Sequence, residues 1–163
     1  MNVEDVFKNF ISHEREIKVI YVASVGVRAR VNCAPKLIAG FREPLTIYML
    51  DYPYTMTHAN ITEHPQVSVS FMSDEIFTGY RLNGVCEILR EGEEFEKARE
   101  LWMKRLIAYE ADRIYQRIKG LSSTREAENK VPEEFVILKF RAQSGSVVKP
   151  DRVCRTRMMP RRK

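Results

Sequence analysis

The sequence predicts an α+β domain: a mainly antiparallel sheet of six short strands, curled into a barrel, with helices on its flanks. Three observations predict it. Runs rich in β-branched residues alternate apolar and polar side chains with period two. Connections of hairpin length separate these runs, which favours antiparallel pairing. Helical spacing is confined to the N-terminus, one short central segment and one long segment after the fifth strand. Helices set apart from an antiparallel sheet define the α+β class, and closure removes the edges that an open sheet exposes.

Each element follows in order. Val3, Val6, Phe7, Phe10 and Ile11 recur at helical spacing, so residues 3–13 form an amphipathic helix. Residues 17–25 are the first strand, ended by Gly26. Residues 28–38 read as the second strand, because Ala29, Val31 and Cys33 alternate with Arg28, Arg30 and Asn32. Pro35 puts that strand at an edge or a bulge. Residues 45–50 form the third strand. Residues 55–63 suit a short helix, with Thr55 or Thr57 as N-cap and Pro65 past its end. Residues 66–72 form a fourth strand, with Val67, Val69 and Phe71 on one face. Residues 78–90 form a fifth, with a bulge at Gly84. Residues 93–119 are helical; Phe95, Ala98, Trp102 and Leu106 make a stripe suited to a core or a subunit contact, and Gly120 is the C-cap. Residues 120–130 are polar and predict a mobile loop. Residues 135–140 are the last clear strand, with residues 146–148 as a short addition.

Composition bounds the function. A chain of 163 residues is one domain by length. With 44% hydrophobic and 30% charged residues it can build a core, which excludes a disordered chain. No apolar run reaches the ~18 residues of a membrane span. The first residues show no basic start followed by an apolar stretch, so a cytoplasmic location is expected. Cys33, Cys86 and Cys154 are odd in number and widely spaced, which fits reduced thiols rather than disulfides or zinc. The net charge of +5 is local: residues 149–163 hold seven bases against Asp151 alone, and the rest is near neutral. The expected division is a barrel domain over 1–148 and a basic tail over 149–163. Solvation, or packing on a second subunit, is preferred for the tail. Nucleic-acid binding through it is the disfavoured alternative, one that predicts steep salt dependence.

Two segments carry candidate chemistry. In Arg30-Val31-Asn32-Cys33-Ala34-Pro35, an amide side chain is followed by small residues that let a flat ring approach the backbone. In the segment 51–60, Asp51, Thr55, Met56, Thr57 and Asn60 surround a helix start. The free N–H groups of such a start suit a phosphate. Taken singly, the first is also a plain edge strand and the second a plain N-cap. Taken together, a ring wall and an anion cradle about four strand residues apart match what FMN requires. His58 and His64 are six apart with no third ligand, so no metal site is expected. No side chain stands out as a catalytic acid, base or nucleophile.

At this point the sequence resembles a known family. Asn32-Cys33-Ala34-Pro35 is similar to the N-x-A-P-type strand of flavin reductase-like FMN-binding split β-barrels. Thr57-His58-Ala59-Asn60-Ile61 resembles their T-x-x-N-[I/L] motif, and residues 63–69 resemble the N-P-containing run of the wider pyridoxamine 5′-phosphate oxidase-like group. Residues 79–88 are similar to that group's fifth strand. The likeness spans about residues 3–110. It implies a six-stranded split barrel and FMN as cofactor, held by Arg30, Asn32, Cys33, Ala34, Pro35, Asp51, Thr55, Met56, Thr57 and Asn60. It also implies a homodimer with flavin at the subunit interface, and oxidoreductase chemistry with a nicotinamide or another flat redox substrate. One departure stands out. The true oxidases carry an Arg-Lys pair where this chain has Met56-Thr57, so two charge-assisted phosphate contacts are missing. Arg28, Arg30, Lys36 and Arg81 are the candidates to replace them. A carrier of flavin or haem without catalysis is the alternative.

Overall fold

The computed structural model describes residues 2–14, 17, 19–73, 76–120 and 134–156. The expected loop over 120–130, past Gly120, and the tail beyond 156 lie outside these residues. The described elements are α1 (Val3–Ser12), β1 (Val19–Val25), β2 (Val31–Arg42), β3 (Thr46–Asp51), α2 (Met56–Glu63), β4 (Gln66–Ser73), β5 (Thr78–Leu89), α3 (Glu93–Ile118), β6 (Val136–Lys149) and β7 (Arg152–Arg155).

The strands run in the order β3-β2-β1-β4-β5-β6, every neighbour antiparallel, and β3 pairs with β6 to close a six-stranded barrel. β7 is added outside it, on the C-terminal end of β6. Among the described residues no helix is long and apolar enough to cross a membrane.

Two cores result. The barrel interior holds Ile20, Val22, Ile38, Ile47, Met49, Leu82, Leu138 and Phe140, all fully buried. α1 closes one mouth. Asn2 caps it, taking the Asp5 N–H while the Asp5 carboxylate takes the Asn2 N–H. Its Phe10 ring then meets Phe41, Phe71 and Tyr80, one from each of three strands, edge-on. The second core lies outside the barrel. There the Ala98, Trp102 and Leu106 stripe of α3 covers Ala39, Tyr48, Leu50 and Ile137. This is why β3 is buried on both faces. The stripe is thus core within the chain; Ile114 and Ile118 further along α3 are exposed.

Three expectations change. Residues 28–30 are not strand. Val27–Ala29 is a tight turn, with Arg28 at φ 58° and Ala29 at φ 57°. Two successive left-handed residues match the right-handed twist of the flanking strands in a hairpin, and Gly26 N–H donates to Arg30 O at 2.9 Å across it. β2 runs on to Arg42 through a register shift at Ile38/Gly40, where α3 lies so close that a Cβ on Gly40 would stand 3.0 Å from Leu101. The two C-terminal strand fragments are one strand, β6. Other expectations stand: the register shifts at Asn83/Gly84, where a Cβ would meet Arg141 O at 2.0 Å. Pro35 falls in the half of β2 that β3 does not pair, where a missing N–H costs no ladder bond.

Candidate functional site

β2 has two halves. Ile38, Gly40, Phe41 and Arg42 pair with β3, and residues 31–37 pair with β1 only. Their other edge is open. The chain leaving β3 turns at residues 52–55 and starts α2 beside that edge.

A buried ion pair sets this turn. Lys36 Nζ lies 2.7 Å from Asp51 Oδ1, both side chains buried. The Tyr52 N–H donates to the same oxygen at 2.8 Å, and Thr55 Oγ1–H donates to Asp51 Oδ2 at 2.8 Å. Thr55 Oγ1 in turn accepts the His58 N–H at 3.1 Å, which makes Thr55 the N-cap of α2. Asp51 is therefore fully committed to holding the turn, and Lys36 to neutralising Asp51. Neither has a charge to spare for a phosphate.

The first turn of α2 is tied to the edge itself. Asn32 Nδ2 donates to Thr57 Oγ1 at 3.0 Å. One turn on, Asn60 Nδ2 donates to Ser24 Oγ at 3.1 Å. Gly26 makes this approach feasible, since a Cβ there would stand 2.3 Å from Asn60 Oδ1. His58 packs beneath, its Nε2 2.9 Å from Arg90 Nη2. A guanidinium only donates, so this nitrogen accepts and carries no proton. Burial first, and then the Arg90 charge, push the His58 pKa below its usual value; Asp51 opposes them.

The predicted residues thus fall into three groups. Asn32, Thr57 and Asn60 meet through side chains at α2. Asp51 and Thr55 form the supporting turn, with Met56 exposed beside them. Cys33 and Pro35 face the other way, outward, level with Ala23 and Tyr21 of β1, while Ala34 is half-buried. Arg30 is exposed at the end of the hairpin turn. Sequence reasoning did not find Ser24, Gly26, His58 and Arg90 as partners. Their contacts join strands and helix over separations that no local motif spans. A cavity of about 420 Å³ lies elsewhere, on the outward face of β4 to β7.

Comparison with solved structures gives the same fold at low identity. A protein from Clostridium acetobutylicum, related to general stress protein 26 of Bacillus subtilis and of the pyridoxinephosphate oxidase family, is 15% identical. It matches over 96% of both chains with a TM-score of 0.65. A pyridoxamine 5′-phosphate oxidase-related, FMN-binding protein from Nostoc punctiforme is 13% identical over 93% of this chain and 86% of its own, TM-score 0.57. A heme binding protein from Mycobacterium smegmatis is 15% identical over 94% of this chain but 57% of its own, TM-score 0.65. Among curated proteins no sequence matches. The family model for pyridoxamine 5′-phosphate oxidase matches residues 3–149, which is the whole barrel, and the chain belongs to that family.

Proposed function

We propose that this chain binds FMN against the open edge of β2 and the first turn of α2. There it serves as an oxidoreductase, passing hydride or electrons between the flavin and a nicotinamide or another flat redox molecule. One observation carries the reading: the 3.0 Å contact of Asn32 with Thr57, which holds a helix start beside an unpaired strand edge.

The residues present fit the cofactor. Backbone groups near Cys33 and Ala34 lie in the unpaired half of β2, where hydrogen bonds to a ring edge are available. The Met56 and Thr57 N–H groups open α2, so they lack intrahelical partners and sit at the positive end of its dipole. Side-chain charge comes from the hairpin rather than the helix. Arg28 and Arg30 are exposed, and among the described residues neither has an ion-pair partner. Lys36 is excluded from that role by Asp51. When bound, the flavin supplies the electron chemistry, and the protein supplies position and electrostatics. Met56 and Thr57 in place of the Arg-Lys pair argue against the vitamin B6 reaction itself.

A homodimer completes the reading. Val19, Tyr21 and Val25 of β1 and Val31 and Leu37 of β2 form an exposed apolar stripe beside the site. A patch of that kind suits an isologous contact, and a flavin at its border touches both subunits.

A carrier that holds flavin or haem without turnover is the second reading. What favours it is the uncharged cradle at residues 55–57. The purified protein's absorption spectrum is the test. Flavin bands that bleach with NADH or NADPH support the oxidoreductase; flavin bands indifferent to both support the carrier. Thr57→Glu sets a carboxylate against the phosphate, and flavin should be lost. Full retention of flavin in that variant removes α2 as the phosphate site.

A further inference from the structure

The turn that leads into α2 carries an aromatic pair. Tyr52 and Tyr54 flank Pro53, and their rings stack with centroids 5.5 Å apart and planes 20° from parallel. Tyr54 is 81% exposed, so one face of its ring rests on Tyr52 and the other is open to solvent. Met56, just beyond, is exposed as well. The backbone beneath the pair is fixed. The Tyr52 N–H donates to Asp51 Oδ1 at 2.8 Å, the Thr55 N–H donates to Tyr52 O at 3.3 Å, and the ring of Pro53 locks its own φ. An open aromatic face held in this way takes a flat ring at little further cost in side-chain ordering.

The charge around α2 narrows the choice of ring. The phosphate of FMN is a monoester, with about two negative charges at neutral pH. α2 contains no lysine or arginine. Lys36 is spent on Asp51, and His58 meets Arg90 as a neutral acceptor. The cradle at residues 55–57 therefore offers N–H and hydroxyl groups but no cation of its own. A phosphate in a pyrophosphate link asks less of such a cradle, because it carries a single charge. Tyr54 precedes Met56 by two residues, so their Cα atoms lie within ~7.6 Å of each other. A phosphate at the start of α2 thus has the open face of Tyr54 within the span of one more phosphate and a ribose.

We propose that the FMN unit bound here is one half of FAD, with the adenine stacked on the open face of Tyr54. The inference rests on the flavin reading above and adds the adenosine half to it. Stacking on Tyr54 supplies binding that the cradle's missing cations do not. It also needs no hydrogen-bond readout of the base, since every base has a π-face to offer an aromatic side chain.

Titration calorimetry of the full chain, freed of its flavin, with FMN and with FAD is the test. FAD is expected to bind at least about tenfold tighter than FMN, the size of one base–aromatic stack. Tyr54→Ala should abolish that advantage and leave the FMN affinity as it is, while Tyr54→Phe, which keeps the ring, should keep the advantage. Tyr54 lies on the surface, and an unchanged circular dichroism melt checks the fold. FMN binding as tight as FAD, or a Tyr54→Ala variant that still prefers FAD, overturns the inference and leaves the FMN reading standing. If the KM for NADH rises in that variant instead, the pair belongs to the nicotinamide substrate. A changed sedimentation coefficient in Tyr54→Ala gives the pair to a subunit contact and overturns the inference too. Binding of neither flavin removes the flavin reading and this one with it.

Discussion

His58 shows how one side chain here answers to groups that its sequence position does not reveal. By spacing it is one of two histidines six apart, and only a metal pairing comes to mind. In the fold it lies on the buried face of α2 with Arg90 at 2.9 Å, so its neutral form is favoured. The sign of the consequence is fixed. The folded pKa lies below the ordinary histidine value of 6.5, so the unfolded chain binds more protons as the pH drops below that value. Stability held above it is therefore lost as the pH falls. Melting temperature should decline between about pH 7.5 and pH 5.5, and His58→Gln should flatten that decline. An equal decline in the variant would assign the effect to other groups. The same limit on local reading applies to Gly26. The sequence shows it as a strand breaker, which it is, while its contact with Asn60 depends on a helix more than thirty residues on.

At the level of elements, legibility followed the residue types. Gly84 announced its bulge because glycine inside a strand pattern has few other reasons to be there. The turn at residues 27–30 stayed hidden because Arg28 and Ala29 adopt left-handed angles that usually call for Asn or Gly. Alternation of Arg28 to Asn32 then mimicked a strand. The turn before α2 is half legible: Thr55 reads as a cap, but nothing local in the sequence shows that Asp51 ties Lys36, Tyr52 and Thr55 together. Its partner Lys36 provides a check. Lys36→Met leaves Asp51 buried with two hydrogen bonds and no countercharge, a change worth about 3–5 kcal/mol. Urea unfolding should show that loss, together with a weakened α2 start. A loss under about 1 kcal/mol would mean that the Tyr52 and Thr55 donors suffice.

For the molecule as a whole, the six barrel strands, their antiparallel direction and the class are legible, since each strand carries its own period-two signal and the helices theirs; β7 is not, because its basic residues read as tail. Closure between β3 and β6 was only a tendency. It depends on pairing residues some ninety positions apart, which no window along the chain can see. The family likeness rests on motifs that shape β2 and α2, and Met56-Thr57 stand where the resemblance implies an Arg-Lys pair. Assembly belongs at this scale. If the β1–β2 stripe joins two subunits, sedimentation should give a dimer for the natural chain, and Leu37→Glu should give a monomer that has also lost flavin. A monomeric natural chain that still holds flavin would separate the cofactor from assembly.

β6 pairs with β3, β5 and β7, and it comes after every other barrel strand. During synthesis the ribosome must therefore deliver the chain to about residue 149 before the barrel can shut. Until then β3 and β5 present bare edges, which a nascent chain exposes to neighbouring polypeptides. Stalling translation a few residues short of β6 should yield chains that a chaperone still holds, and stalling well past it, with Lys149 clear of the exit tunnel, should yield chains that it releases.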